Sequence, residues 1–346
     1  MFRKALVIIL LLLFIGTYTH TASDTSYNNY IVDNEGDGDF TTIQEAIDNA
    51  STGDFIWVYS GNYSGDINVD KPLTIIGIDQ EYLNGTDTGN PHIWGAGAYI
   101  YNTSGVFFSN FSLGGIPDID KIKLEYSDDC FILNCSADYL LLYNCSGVTV
   151  DNCEFTTNFD YFAGINLILS SNNIITNNIC VSNAANTKDN IGICLQASDY
   201  NQLLNNTCTA KDSINKWGID PAMHISTSNN NTISGNICFQ SDIGIKLEAS
   251  NNNTISLNNI TMNKNRGMHL FVSDNNEITK NNFINNSKQA FFRKCKGTTW
   301  DENYWDDSKL PIPKLIFGTT GPAIGLIPWI NLDLHPAKEP YNIQLI

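Results

Sequence analysis

Four residues with chemical capability, Cys194, His224, Lys246 and His269, fall at the same place in successive copies of one repeated phrase. Each follows an apolar residue, Ile193, Met223, Ile245 or Met268, so strand alternation turns the apolar set inward and the four outward. Glu248 stands two places beyond Lys246, and Lys216-Trp217-Gly-Ile-Asp220-Pro221 brings a tryptophan and a carboxylate beside the strand. Three chemistries fit this file. Trp217 would stack on a sugar ring while Asp220, His224, Lys246, Glu248 and His269 bond its hydroxyls. Asp220, His224, Lys246 and His269 would otherwise act as acid, base and charge stabiliser for a polysaccharide lyase, epimerase or hydrolase. Cys194, His224 and His269 offer sulfur and imidazole to copper, although two strand spacings, ~9.6 Å, separate the histidines. A solvated sheet face also carries polar residues without function.

The elements that must position these residues are repeats. From Gly164 to Trp305 six copies give an apolar column of Ile175, Leu203, Ile233, Ile255, Ile278 and Trp300, with Asn178, Asn206, Asn236, Asn258, Asn281 and Asn303 three residues later. Units this small cannot bury an apolar face alone and must stack. Short alternating runs of Ile, Val, Thr, Ser and Asn, without a helical stretch, exclude the ankyrin, TPR and leucine-rich types. The fold expected is all-β, a right-handed parallel β-helix, its asparagines bonding turn backbone and one another at ~4.8 Å steps. Two copies carry long insertions, Val181 to Ile191 and Thr209 to Pro221, which project from one corner, where solenoids commonly build a binding face.

Residues 1–22, with Arg3, Lys4 and an apolar run from Ala5 to Ile15, read as a signal peptide. The body is then expected to be secreted or at the cell surface, meeting a membrane only if that segment stays as an anchor. The formal charge of −17 falls to −19 without Arg3 and Lys4, which disfavours nucleic acid and other polyanions. Asp33, Glu35, Asp37 and Asp39 alternate as in a calcium loop but lack the rest of an EF-hand pattern, and an acidic turn is the plainer reading. No cofactor is required. Cys153, Cys180, Cys208 and Cys238 are read in one slot that Ile260, Phe283 and Trp305 occupy later, hence as a buried stack.

Thr42 with Glu45 opens a short capping helix, followed by Gly53-Asp-Phe-Ile-Trp-Val58. This order, with Ile43-Gln-Glu-Ala-Ile47, resembles the N-terminal cap of pectin-lyase-like β-helix proteins, and the repeats resemble the periplasmic copper-binding NosD-type and carbohydrate-binding β-helix family. Gly218-Ile-Asp220-Pro221 is similar to the Asp-Pro-His motif of alginate-type epimerases, except that Ala222 stands at the histidine's place and His224 two residues later. The resemblance implies a solenoid over 23–309, with its cap at 30–79 and regular repeats at 164–305. Residues 310–346, with six prolines, would form an extended cap or tail. The functional expectation is an extracellular or cell-surface protein that binds a neutral or weakly charged glycan or is structural in the cell envelope, its partner a glycan or cell-envelope polymer. A polysaccharide-active enzyme is the first alternative and a copper-binding maturation protein the second.

Overall fold

The computed structural model describes residues 26–83, 85–95, 97–115, 121–158, 163–183, 190–211, 220–308, 312–321 and 327–343. Residues 1–22, read above as a signal peptide, and Trp217 lie outside them. The chain is a right-handed parallel β-helix in which each coil's strands pair in parallel with those of the next. Among the described residues the one helix, α1 (Ile43–Asn49), begins where Thr42 Oγ1 accepts the Glu45 N–H at 3.3 Å. It lays Ile43, Ala46 and Ile47 on the end of the core.

The strands that matter for the site are β1 (Ile191–Gln196), β2 (Pro221–Ser226), β3 (Ile243–Glu248), β4 (Arg266–Phe271) and β5 (Ala290–Arg293). Their inward residues Ile193, Met223, Ile245 and Met268 are fully buried. On the next side of each coil, Ile175, Leu203, Ile233, Ile255, Ile278 and Trp300 pair one above another, as the repeat register requires.

The asparagine file works through its side-chain oxygens. Each Oδ1 accepts the backbone N–H of the residue one coil below, from Cys153 to Asn178 and onward to Asn303, at 2.8 to 3.0 Å. Buried turn amides that would otherwise lack acceptors are thereby satisfied. A second file, Asn173, Asn201, Asn231, Asn253 and Asn276, and a serine file, Ser170, Ser198, Ser228, Ser250 and Ser273, do the same at the two ends of one other turn.

Cys153 departs from its expected slot. Val150 pairs with Ile175, which puts Cys153 opposite Asn178 at the foot of the asparagine file, and Phe155 fills the place below Cys180. Cys180, Cys208 and Cys238 do stack in register, and all four thiols are buried. The tail forms a hairpin rather than a simple extended segment. Strands β6 (Lys314–Thr320) and β7 (Ile327–Asp333) are antiparallel to each other, β6 resting on β5 and Asp333 of β7 on Trp300.

Candidate functional site

The outer face of the β1 to β5 sheet carries the file read from the sequence. Cys194, His224, Lys246 and His269 occupy consecutive rungs, and Phe291 continues them on β5. Tyr99, Lys123, Leu141 and Asn166 extend the same file into the earlier coils. The neighbouring file runs through Tyr101, Glu125, Tyr143, Ile168, Gln196, Ser226, Glu248, Phe271 and Arg293.

The centre of this face is a hydrogen-bonded trio. Lys246 Nζ donates to Glu248 Oε2 at 2.7 Å, and His224 Nε2 lies 3.3 Å from the same oxygen. The Lys246 contact, aided by His224, holds the Glu248 carboxyl below the usual carboxylate range. One rung up, burial together with Arg266, Lys246 and Arg293 depresses His269 to about 4, so its imidazole is neutral at neutral pH. Burial pushes the Cys194 thiol up to about 12, against a small opposing pull from Lys246.

Toward the first coils the face turns aromatic. Tyr126 sits edge-on between Tyr101 and Tyr143, with ring centroids 6.1 and 5.6 Å apart, and Tyr101 and Tyr126 are half exposed.

Asp220 is not on this face. It is 1 % exposed, and its Oδ1 accepts the Asn190 N–H at 2.9 Å, so it belongs to the wall of the solenoid. Nor do Cys194, His224 and His269 converge. Among the described residues the only group of three or more His, Cys, Asp and Glu whose ligand atoms lie within 4.8 Å of one another is Glu35, Glu81 and Asp87. With Lys246 on the rung between the histidines, the three proposed copper donors do not fit one ion.

The four alternating acids are likewise dispersed. Asp33 Oδ2 accepts the Asp37 N–H and Asp39 Oδ2 the Ile31 N–H, as an acidic turn does. Only Glu35 joins the three-carboxylate group, where repulsion led by Glu81 raises its pKa.

Four residues of the face escaped the sequence reading: Arg266, Phe271, Phe291 and Arg293. Arg266 Cζ lies 4.9 Å from the Phe291 ring centroid, and Arg293 Cζ 5.6 Å from that of Phe271. The available signal was scarcity, since the chain holds only three arginines and these are two of them.

Solved structures share the fold. A tailspike protein of bacteriophage CBA120 (tailspike protein 2, enzymatically active domain) is similar over 76 % of this chain and 45 % of its own, at 15 % identity and a TM-score of 0.55. The A-module of the mannuronan C-5 epimerase AlgE6 of Azotobacter vinelandii covers 75 % of this chain and 90 % of its own, at 13 % identity and a TM-score of 0.48. A mannuronic-acid-specific family 6 polysaccharide lyase from human gut microbiota covers 79 % and 83 %, at 12 % identity and a TM-score of 0.43. At these identities the likeness shows fold and not activity. Among curated proteins none matches the chain. No described helix is long and apolar enough to cross a membrane. The family described as periplasmic copper-binding protein (NosD) matches residues 47–220 and 215–310, most of the sequence, and the chain belongs to that family.

Proposed function

We propose that the protein is an extracytoplasmic glycan-recognition β-helix whose ligand lies along the outer face of the β1 to β5 sheet and its continuation into the earlier coils. One observation carries the reading. A single exposed face bears edge-to-face tyrosines toward one end and the His224, Glu248, Lys246 trio toward the other. Aromatic faces pack on the apolar faces of sugars, and a trio already bonded to itself presents donors and an acceptor without an ordering cost on binding. The two long insertions precede β1 and β2 in the sequence, which is the ground for testing Trp217. The periplasmic assignment of the family supports an extracytoplasmic place, with residues 1–22 as the export signal, 23–309 as the solenoid and 310–346 as its terminal cap.

The test is binding on a glycan array by wild type, Trp217→Ala, Tyr126→Ala and His224→Ala. Retention that drops at least tenfold in Tyr126→Ala or His224→Ala, with unchanged thermal stability, supports the reading; no retention by wild type overturns it. An unsaturated or reducing-end product that accumulates over hours and vanishes in His224→Ala would establish the enzymatic alternative, with His224 as the proton-transfer group oriented by Glu248. Copper rests on the family's description. Stoichiometric Cu(I) binding lost in Cys194→Ser would favour it.

A further inference from the structure

Two of the chain's three arginines, Arg266 and Arg293, stand on adjacent rungs of one sheet face. With 36 acidic residues against 19 basic ones, a carboxylate partner is abundant, yet among the described residues neither arginine has an ion pair. Glu248, the acid on the neighbouring rung, is held by Lys246 and His224. Each guanidinium instead lies against a phenyl ring, Arg266 on Phe291 and Arg293 on Phe271. A guanidinium stacked on a ring keeps its in-plane N–H groups for another acceptor.

Three of the twelve unmet buried side-chain polar atoms among the described residues lie on this face. Arg266 Nε, Arg293 Nε and His269 Nδ1 are buried and have no hydrogen-bond partner. An unmade buried hydrogen bond costs roughly 1–3 kcal/mol, and native structures hold few. Three along one outer face, with His269 feeling both arginines, mark a place prepared for an acceptor. The His269 ring, on the rung that bears Arg266, packs 5.7 Å from Phe291 on the rung that bears Arg293, and feels both guanidinium charges.

We propose that Arg266, His269 and Arg293, framed by Phe271 and Phe291, receive the carboxylate of an acidic sugar, so that the glycan bound along this face is a uronate polymer. The inference rests on the glycan reading above and names its substrate class. A planar carboxylate matches the fork of a guanidinium, and the flanking phenyl rings suit the C–H face of the same sugar. The overall charge of −17 does not forbid this. Charges beyond about 8–10 Å are screened at physiological ionic strength, so the local cations decide. Arrival of a carboxylate offsets the repulsion that Arg266 and Arg293 exert on a protonated His269, so binding is coupled to proton uptake there.

The experiment compares oligomers of galacturonate, mannuronate and guluronate with their fully methyl-esterified forms, by titration calorimetry on the full chain. The result expected is binding of at least one free acid, at least tenfold tighter than its ester and weakened by salt, with His269 titrating at higher pH in the complex. Arg266→Gln and Arg293→Gln should each erase most of the difference between acid and ester while leaving the ester's affinity in place. Arg266→Lys should recover only part of it, which separates the bidentate contact from mere charge or misfolding. Equal affinity for acid and ester overturns the carboxylate assignment and leaves glycan binding standing. Failure of every acid and ester, together with an empty glycan array, overturns both. Equal competition by dextran sulfate would identify the anion as sulfate and reject the uronate.

Discussion

Asp333 closes the asparagine file from the tail: its Oδ2 accepts both the backbone N–H of Asn303, at 3.0 Å, and the Asn303 side-chain Nδ2, at 3.2 Å. Trp305 Nε1 donates to the same oxygen at 2.9 Å, while Trp305 stacks on Phe283 with ring centroids 4.2 Å apart. A carboxylate with no exposure is tolerated because three donors converge on it. Asp333→Ala leaves those donors without an acceptor and should cost several kcal/mol at ~1–3 kcal/mol each. The loss should appear as faster amide exchange in the last coils first. Asn236→Leu, in mid-file, breaks the bond from Asn206 and the bonds to Leu203 and Asn258, and should lower the urea midpoint of the whole solenoid.

Val272 precedes Ser273 of the serine file with φ of 50°, a left-handed conformation that a β-branched residue resists, and it is 43 % exposed. Asparagine holds that conformation elsewhere in the molecule, as at Asn177 and Asn205. Val272→Asn should therefore stabilise by about 1 kcal/mol, read as a higher urea midpoint at unchanged slope.

His269 sets an acid arm on stability. Its folded pKa of about 4 lies below the ordinary 6.5, so the unfolded chain binds the proton first as pH falls. Stability should drop between pH 6.5 and 4, by about 3 kcal/mol at 1.4 kcal/mol per unit, and level off below 4 as far as this group is concerned. Glu248 acts in a lower window: its depressed folded pKa contributes stability above its unfolded value, lost as pH falls further. His269→Gln should remove the upper arm and keep the lower one, as seen in chemical denaturation at a series of pH values.

All nine cysteines are thiols, and every one except Cys194 is buried. Burial pushes Cys130 and Cys145 up to about 11 and raises Cys208 and Cys238 further. In native protein at pH 8 a maleimide should react, slowly, at Cys194 alone, the other eight appearing only with urea. Rapid reaction of Cys180, Cys208 or Cys238 would reject their place in the core.

The solenoid was legible because its restraints are periodic. An apolar residue and an asparagine at fixed separation recur in sequence as they recur in space, and alternation around Ile193, Met223, Ile245 and Met268 then fixes the outward file. The reading failed where the period breaks. Asp220 stands at a corner, before the alternation of β2 begins, and the bend there turns it inward. On β4 the break falls at Gly267, in register with Ala222 and Gly244, where an added Cβ would meet the Gln289 carbonyl oxygen at 2.6 Å. Arg266, just before it, therefore reaches the outer face by length rather than by alternation. Phe271 and Phe291 read as core residues because phenylalanine usually is one; their outward place follows only from pairing with Glu248 and His269. Cys153 was misplaced because it stands where the later coils carry asparagine, Phe155 taking the cysteine slot at the same separation from Val150 as Cys180 from Ile175.

Parallel coils stacked by repeated hydrogen bonds have no intrinsic length: each top surface is a template for another coil, whether from the same chain or from a different molecule. The β6 and β7 hairpin ends that arithmetic by reversing direction. Because β7 runs against β6, the edge that an incoming coil would meet has the wrong polarity for parallel pairing, while Asp333 already takes the last donors of the asparagine file. The hairpin thus works as a terminator of filament growth. A chain cut after Ser308 should present Trp300 and Trp305 uncapped and self-associate through that end, and because α1 covers the other end the association should stop at small oligomers, as light scattering would show.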